Sequence, residues 1–154
     1  MVKRIGDEFE IRVDIRGAIS VSGVGANITY DPSIIDAVDD NEAVEGTQIK
    51  SILGDFYTSP MLLANIISDI DGNQVPGTVV CSYSALPAYP SPEEPTDGYC
   101  FSLFFKALAA GTTTVEFVLS DTLLTDGDGE FILVDVENDF VDVLANAVLT
   151  ITIV

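Results

Sequence analysis

The tightest constraint on this chain is a period of two. Phe9, Ile11, Val13 and Ile15 alternate with Glu8, Glu10, Arg12, Asp14 and Arg16. Neighbouring side chains in a strand point to opposite faces, so this run reads as a strand with an apolar inner face and a charged outer one. Val24, Ala26, Ile28 and Tyr30 repeat the pattern against Gly25, Asn27 and Thr29. Further strands are expected over 34–38, 62–67, 78–86, 99–107, 113–119, 131–136 and 143–154. Turns fall between them at Asp31-Pro32-Ser33, at Ile70-Asp71-Gly72-Asn73 and at Ala109-Ala110-Gly111. Only 47–53 has helical spacing: Ile49, Ile52 and Leu53, with Thr47 to cap and Gly54 to stop a short turn. Eight or nine short strands with almost no helix specify an all-β fold, a β-sandwich.

Charge excludes several functions. The chain has 154 residues, 25 acidic and 6 basic, for a net charge of −19, and contains no histidine and no tryptophan. A serine–histidine–aspartate triad, a cysteine–histidine pair and a histidine metal site are impossible. A polyanion is repelled, so nucleic acid is not an expected partner, and anionic membrane surfaces are disfavoured alike. Apolar residues make up 47% of the chain, which is too many for acidic disorder. The charge also keeps copies apart, so the chain alone is expected as a monomer. No apolar run reaches 18 residues, and no apolar leader follows Met1, so no membrane insertion and no signal peptide are expected. Met1 runs almost directly into a strand and the last residues stop within apolar alternation. Residues 1–154 therefore read as a single module taken from a longer protein.

The candidate chemistry is thin. Glu93 and Glu94 adjoin in a segment, 87–97, that holds Pro87, Pro90, Pro92 and Pro95. They read as solvated loop charges, with nothing to desolvate one as a catalytic acid. The clusters Asp69-Ile70-Asp71-Gly72-Asn73 and Asp126-Gly127-Asp128-Gly129-Glu130 superficially resemble calcium loops. Neither has the 12-residue spacing with a closing bidentate acid, so both read as turns, and neither a metal nor a cofactor is expected. Cys81 shares a face with Val79 and Tyr83, whereas Cys100 alternates against Phe101, Leu103 and Phe105. One inward and one outward thiol favour free cysteines; a disulfide formed in an oxidising space is the alternative. Sugar stacking has few exposed aromatics to work with, Tyr57 and Tyr89 being the loop candidates.

The order of four pieces resembles a known family. They are Gly6-Asp7 before the first alternating strand; Gly25-Ala26-Asn27-Ile28-Thr29-Tyr30-Asp31-Pro32-Ser33-Ile34-Ile35; Gly98-Tyr99-Cys100-Phe101-Ser102-Leu103-Phe104-Phe105-Lys106-Ala107; and Leu124-Thr125-Asp126-Gly127-Asp128-Gly129. In this order they resemble the cohesin modules of cellulosome scaffoldins. The resemblance implies a nine-stranded jelly-roll β-sandwich without catalytic activity, secreted or attached to a cell surface. It implies a partner, the calcium-loaded dockerin, for cellulosome assembly or surface attachment. It places docking on one sheet, built here by 23–30, 62–68, 77–86 and 113–121. The family's first strand is short or missing at Met1, and 130–142 reads as an insertion. Some cohesins carry an aspartate on the third strand that bonds the dockerin; the nearest position here is Gly25, with Asn27 next on that face.

A helix lies best on a flat platform, and small side chains make one. The expected outward row is Gly25, Asn27 and Thr29 on one strand and Val80, Ser82, Ser84 and Leu86 on another. Ile66, Leu86 and the pair Leu123–Leu124 are the expected apolar anchors. Asn27 and Asn65 are expected to hydrogen-bond the partner, and Tyr89 joins them from the proline-rich loop. Acids gather in 121–142, near one edge of that sheet, so a docking partner should bring Lys or Arg. The runner-up is a carbohydrate-binding sandwich of a secreted polysaccharide-degrading enzyme; a structural adhesin or surface-layer domain is a third reading.

Overall fold

A computed structural model describes residues 1–18, 21–41, 43, 48–56, 59–67, 77–85, 96–117, 123–126 and 148–154. The strand expected over 131–136, the turn at 70–73, Tyr57, Leu86 and Tyr89 lie outside the described residues. Within them the chain forms strands β1 (Val2–Lys3), β2 (Glu8–Ala18), β3 (Val21–Thr29), β4 (Ile35–Ala37), β5 (Ser51–Leu53) and β6 (Pro60–Ile66). The series continues with β7 (Thr78–Ala85), β8 (Thr96–Ala107), β9 (Gly111–Phe117), β10 (Leu123–Asp126) and β11 (Val148–Ile153). The larger sheet runs β1-β11-β9-β3-β7-β6, with β10 also paired to β3; the smaller runs β2-β8-β4, with β5 also paired to β8. The fold is the all-β, two-sheet sandwich that the alternation predicts.

The alternating apolar rows meet between the sheets. Phe9, Ile11 and Val13 of β2 and Phe101, Leu103 and Phe105 of β8 line the smaller sheet's inner face. Val24, Ala26 and Ile28 of β3 and Val79, Cys81 and Tyr83 of β7 line the larger one's. Aromatic rings join the layers: Tyr83 meets Phe101 and Tyr30 meets Phe105, each pair with centroids 5.2 Å apart. Gly77 turns the chain into β7 at φ +89°, where a Cβ would come within 2.5 Å of the Tyr30 carbonyl oxygen. The Tyr30 backbone N–H donates to Gly77 O at 2.8 Å, so β3 and β7 are tied at this end.

Three local expectations are corrected. The 48–53 part of the expected helical turn is extended: Ile49 bridges Asp39, and Ser51–Leu53 pairs with Leu103–Phe101 of β8. The helical spacing is accidental, since Ile49 is buried while Ile52 and Leu53 are exposed. Between the strands expected over 113–119 and 131–136, where none was expected, lies β10, which pairs antiparallel with β3. Cys100 is buried, not outward. The β2–β8 register passes from Val13↔Phe101 to Asp14↔Tyr99, which leaves Cys100 as the extra residue of a bulge and shifts the alternation by one. Cys81 and Cys100 are free thiols on opposite sheets, and burial pushes each up to about 12. The short first strand is β1, parallel to β11.

Candidate partner-docking face

The four segments expected to build the docking face lie side by side, as β9, β3, β7 and β6 of the larger sheet. Cross-strand register sets which residues share its outer row. Gly23, Gly25, Asn27 and Thr29 stand opposite Ser84, Ser82, Val80 and Thr78 of β7. Ser84, Ser82 and Val80 stand in turn opposite Met61, Ala64 and Ile66 of β6. Val80, Ser82, Ser84, Ala64 and Ile66 are half-buried, and Met61 is exposed. The surface is small, hydroxylated or apolar. Apart from β1, the strands of this sheet carry no Lys or Arg and only two acids, Glu116 and Asp126.

Not every expected contact residue stands free on this face. Asn65 is in register with Cys81, whose side chain is in the core. Its Oδ1 accepts from the Ile49 backbone N–H at 3.1 Å, and its Nδ2 donates to Ser51 Oγ at 3.3 Å. The Tyr83 hydroxyl donates to the same Ser51 Oγ at 3.0 Å, and burial raises the phenol's pKa. Asn65 is therefore an internal clamp between β6 and β5, which corrects its expected outward role. Asn27 is 6% exposed and Gly25 is buried, so both lie in the outward row without being open to solvent; Thr29 is half-buried. Leu123 takes the register position opposite Gly25 and Leu124 the one opposite Val24. At the far end, an open depression of about 400 Å³ is lined by Thr29, Asp31, Thr112, Thr114 and Glu116 among others. The Asp31 carboxylate there accepts from the Ser33 hydroxyl and N–H, which hold its pKa low.

Sequence reasoning missed Met61, Leu62 and Leu63, which are 44%, 46% and 58% exposed. Their signal was an unbroken apolar run from Met61 to Leu63, since a strand apolar on both faces meets something other than water on each.

The smaller sheet's outer face is built differently. Arg12 Nε bonds Asp14 Oδ1 at 2.7 Å, and its guanidinium lies 4.3 Å from the Tyr99 ring centre. Lys50 pairs with Glu8 and lies 4.6 Å from the Phe104 ring centre. The Tyr99 hydroxyl donates to Ser102 Oγ at 2.7 Å, and Ser102 donates to Glu10. Arg12, Arg16 and Lys106 belong to this sheet, and Lys50 directly precedes β5.

Comparison with known proteins decides the family. The profile described as Cohesin domain matches residues 2–142. This chain belongs to the cohesin family. A type II cohesin domain from the cellulosome of Acetivibrio cellulolyticus matches this cohesin with a TM-score of 0.65 at 19% identity, over 96% of this chain and 88% of that one. A cohesin from a type II cohesin–X-dockerin complex of the same organism matches at 25% identity and TM-score 0.62, over 85% and 84%. A non-cellulosomal cohesin from the archaeon Archaeoglobus fulgidus matches at 16% identity and TM-score 0.60, over 99% and 85%. No curated protein sequence matches. In this cohesin the adjacency of β9, β3, β7 and β6 follows from the jelly-roll topology, which brings strands distant in sequence into one sheet. Among the described residues no helix is long and apolar enough to cross a membrane.

Proposed function

We propose that this cohesin is a non-catalytic, extracellular or surface-attached module that captures a calcium-loaded dockerin on the outer face of its larger sheet. Residues 1–154 would act as one module of a scaffoldin, in cellulosome assembly or attachment to a cell surface. The observation that carries this reading is a nearly uncharged outer face on a chain of net charge −19. Depletion of charge at the centre of a contact surface is what distinguishes an interface core. Ser82 and Ser84 leave room for a helix to approach and offer hydroxyls to it, while Met61 and Ile66 supply apolar contact. The net negative charge steers a basic partner from a distance, although the strands of the face bring few acids into contact. A neighbouring fold is held in a cohesin–X-dockerin complex, which fits this assignment. Sugar stacking has less support: Tyr99 and Phe104, the aromatic side chains on the smaller sheet's outer face, have Arg12 and Lys50 over their rings.

The test is a pull-down against a panel of dockerins with and without chelator. A one-to-one complex lost on chelation is expected. Retention on a glycan with no dockerin bound would sink the reading.

A further inference from the structure

The apolar surface does not stop where the flat sheet stops. β6 ends the larger sheet's strand order, and its register with β7 passes from Leu62↔Tyr83 to Ala64↔Ser82. Leu63 is the extra residue of that bulge. Two consecutive leucines thus reach solvent at the sheet edge, 46% and 58% exposed. Across the seam, β5 of the smaller sheet presents Leu53 at 40% exposure. The seam is closed underneath by the Asn65–Ser51–Tyr83 hydrogen bonds, and Tyr83 is the residue in register with Leu62. Met61 belongs to both surfaces: it faces Ser84 in the platform's outward row and adjoins Leu62 at the edge.

We propose that the docking surface wraps from the platform over the β6 edge to Leu53, and that a second apolar helix face of the dockerin-bearing partner, flanked by Lys or Arg, covers Leu53, Leu62 and Leu63. The proposal rests on the dockerin reading. Three observations select this occupant. The strip is continuous with the platform through Met61. A net charge of −19 opposes a second copy, and exposed Asp55 lies two residues beyond Leu53, which favours a cationic rim on the partner. The bulge breaks regular strand geometry at the edge, which disfavours an added strand and favours a helix.

The test uses the full chain and whichever dockerin of the panel it binds. Leu62→Ser with Leu63→Ser is expected to weaken Kd about 30-fold, mostly through faster dissociation, with the melting temperature unchanged. Leu63→Met is expected to retain binding. Should the double variant melt early, Leu63→Ser alone, at the most exposed position, carries the test with about a fivefold loss expected. Wild-type affinity in the leucine variants, with binding abolished by Ser82→Arg, would overturn the wrap-around contact and leave the dockerin reading standing. A wild-type dimer in sedimentation that the leucine variants convert to monomer would overturn it in favour of a second copy. Failure of the folded wild-type chain to bind any dockerin would overturn both.

Discussion

The two outer faces of the sandwich differ in how their side chains are satisfied. On the smaller sheet, charges pair locally, Arg12 with Asp14 and Lys50 with Glu8, and the Glu10 carboxylate accepts from Ser102, which itself accepts from Tyr99. Its aromatic rings lie beneath cations. On the larger sheet, the central outward rows are Gly, Asn, Thr, Ser, Ala, Val and Ile, continued by exposed Met61, Leu62 and Leu63. A face that completes its own ion pairs gains little from a partner. A face of apolar and hydroxyl groups gains contact area without stripping water from ions. The inner faces, by contrast, are alike: each carries one buried free thiol.

The comparison breaks most sharply at Ser82, half-buried between Gly25 and Ala64. Ser82→Arg raises a long side chain from the platform. It is expected to weaken dockerin binding by about 100-fold or more in calorimetry, with little change in melting temperature. Loss of binding with Arg12→Ala instead would reverse the assignment of faces. Next in size is Asn65→Ala. It removes the acceptor for Ile49 N–H and the donor to Ser51, and is expected to cost about 2 kcal/mol in urea unfolding. Weakened binding at unchanged stability would return Asn65 to the docking face.

The thiols test whether the inner faces are equivalent. Cys81 and Cys100 have pKa values raised from 9.0 to about 12 by burial, so the folded state holds protons that the unfolded state releases. Their stabilisation is complete below pH 9 and is lost as pH rises from 9 towards 12, because there the unfolded chain binds fewer protons. The urea midpoint should fall steadily across that window. Alkylation at pH 8 should label neither thiol in the native chain and both in denaturant; labelling of one alone would separate the two sheets. The smallest effect belongs to Arg12→Ala. A half-exposed ion pair with a ring contact contributes about 1 kcal/mol or less, and dockerin affinity should not change.

Much of this was legible in the residues. Alternation placed β2, β3, β7 and β8 and the core rows of each, because one-sided burial leaves a period of two. The outward row Val80, Ser82 and Ser84 was read from the same parity. The misreadings cluster where parity is interrupted. A single extra residue at Cys100, and another at Leu63, inverts the alternation on one side of a bulge, and nothing in a local pattern marks where the insertion falls. Asn65 was assigned outward although its register partner is the core residue Cys81, and its amide is held inside by β5, a strand that helical spacing had disguised.

By itself, the sequence determined the strand content, the apolar core, the acidic character and the function classes that a chain without histidine cannot serve. These depend on local periodicity and on composition. Which strands become neighbours was decided by the tertiary structure: β3 lies between β7 and β9, and β6 closes the edge, although long stretches of chain separate them. The tertiary structure also decided that four of the six bases, Arg12, Arg16, Lys50 and Lys106, lie on or beside the smaller sheet, while the central strands β3, β6 and β7 of the larger one carry no charge. A surface exists only once distant strands are paired, so its flatness, its apolar rim and its lack of charge belong to the register and not to any one segment.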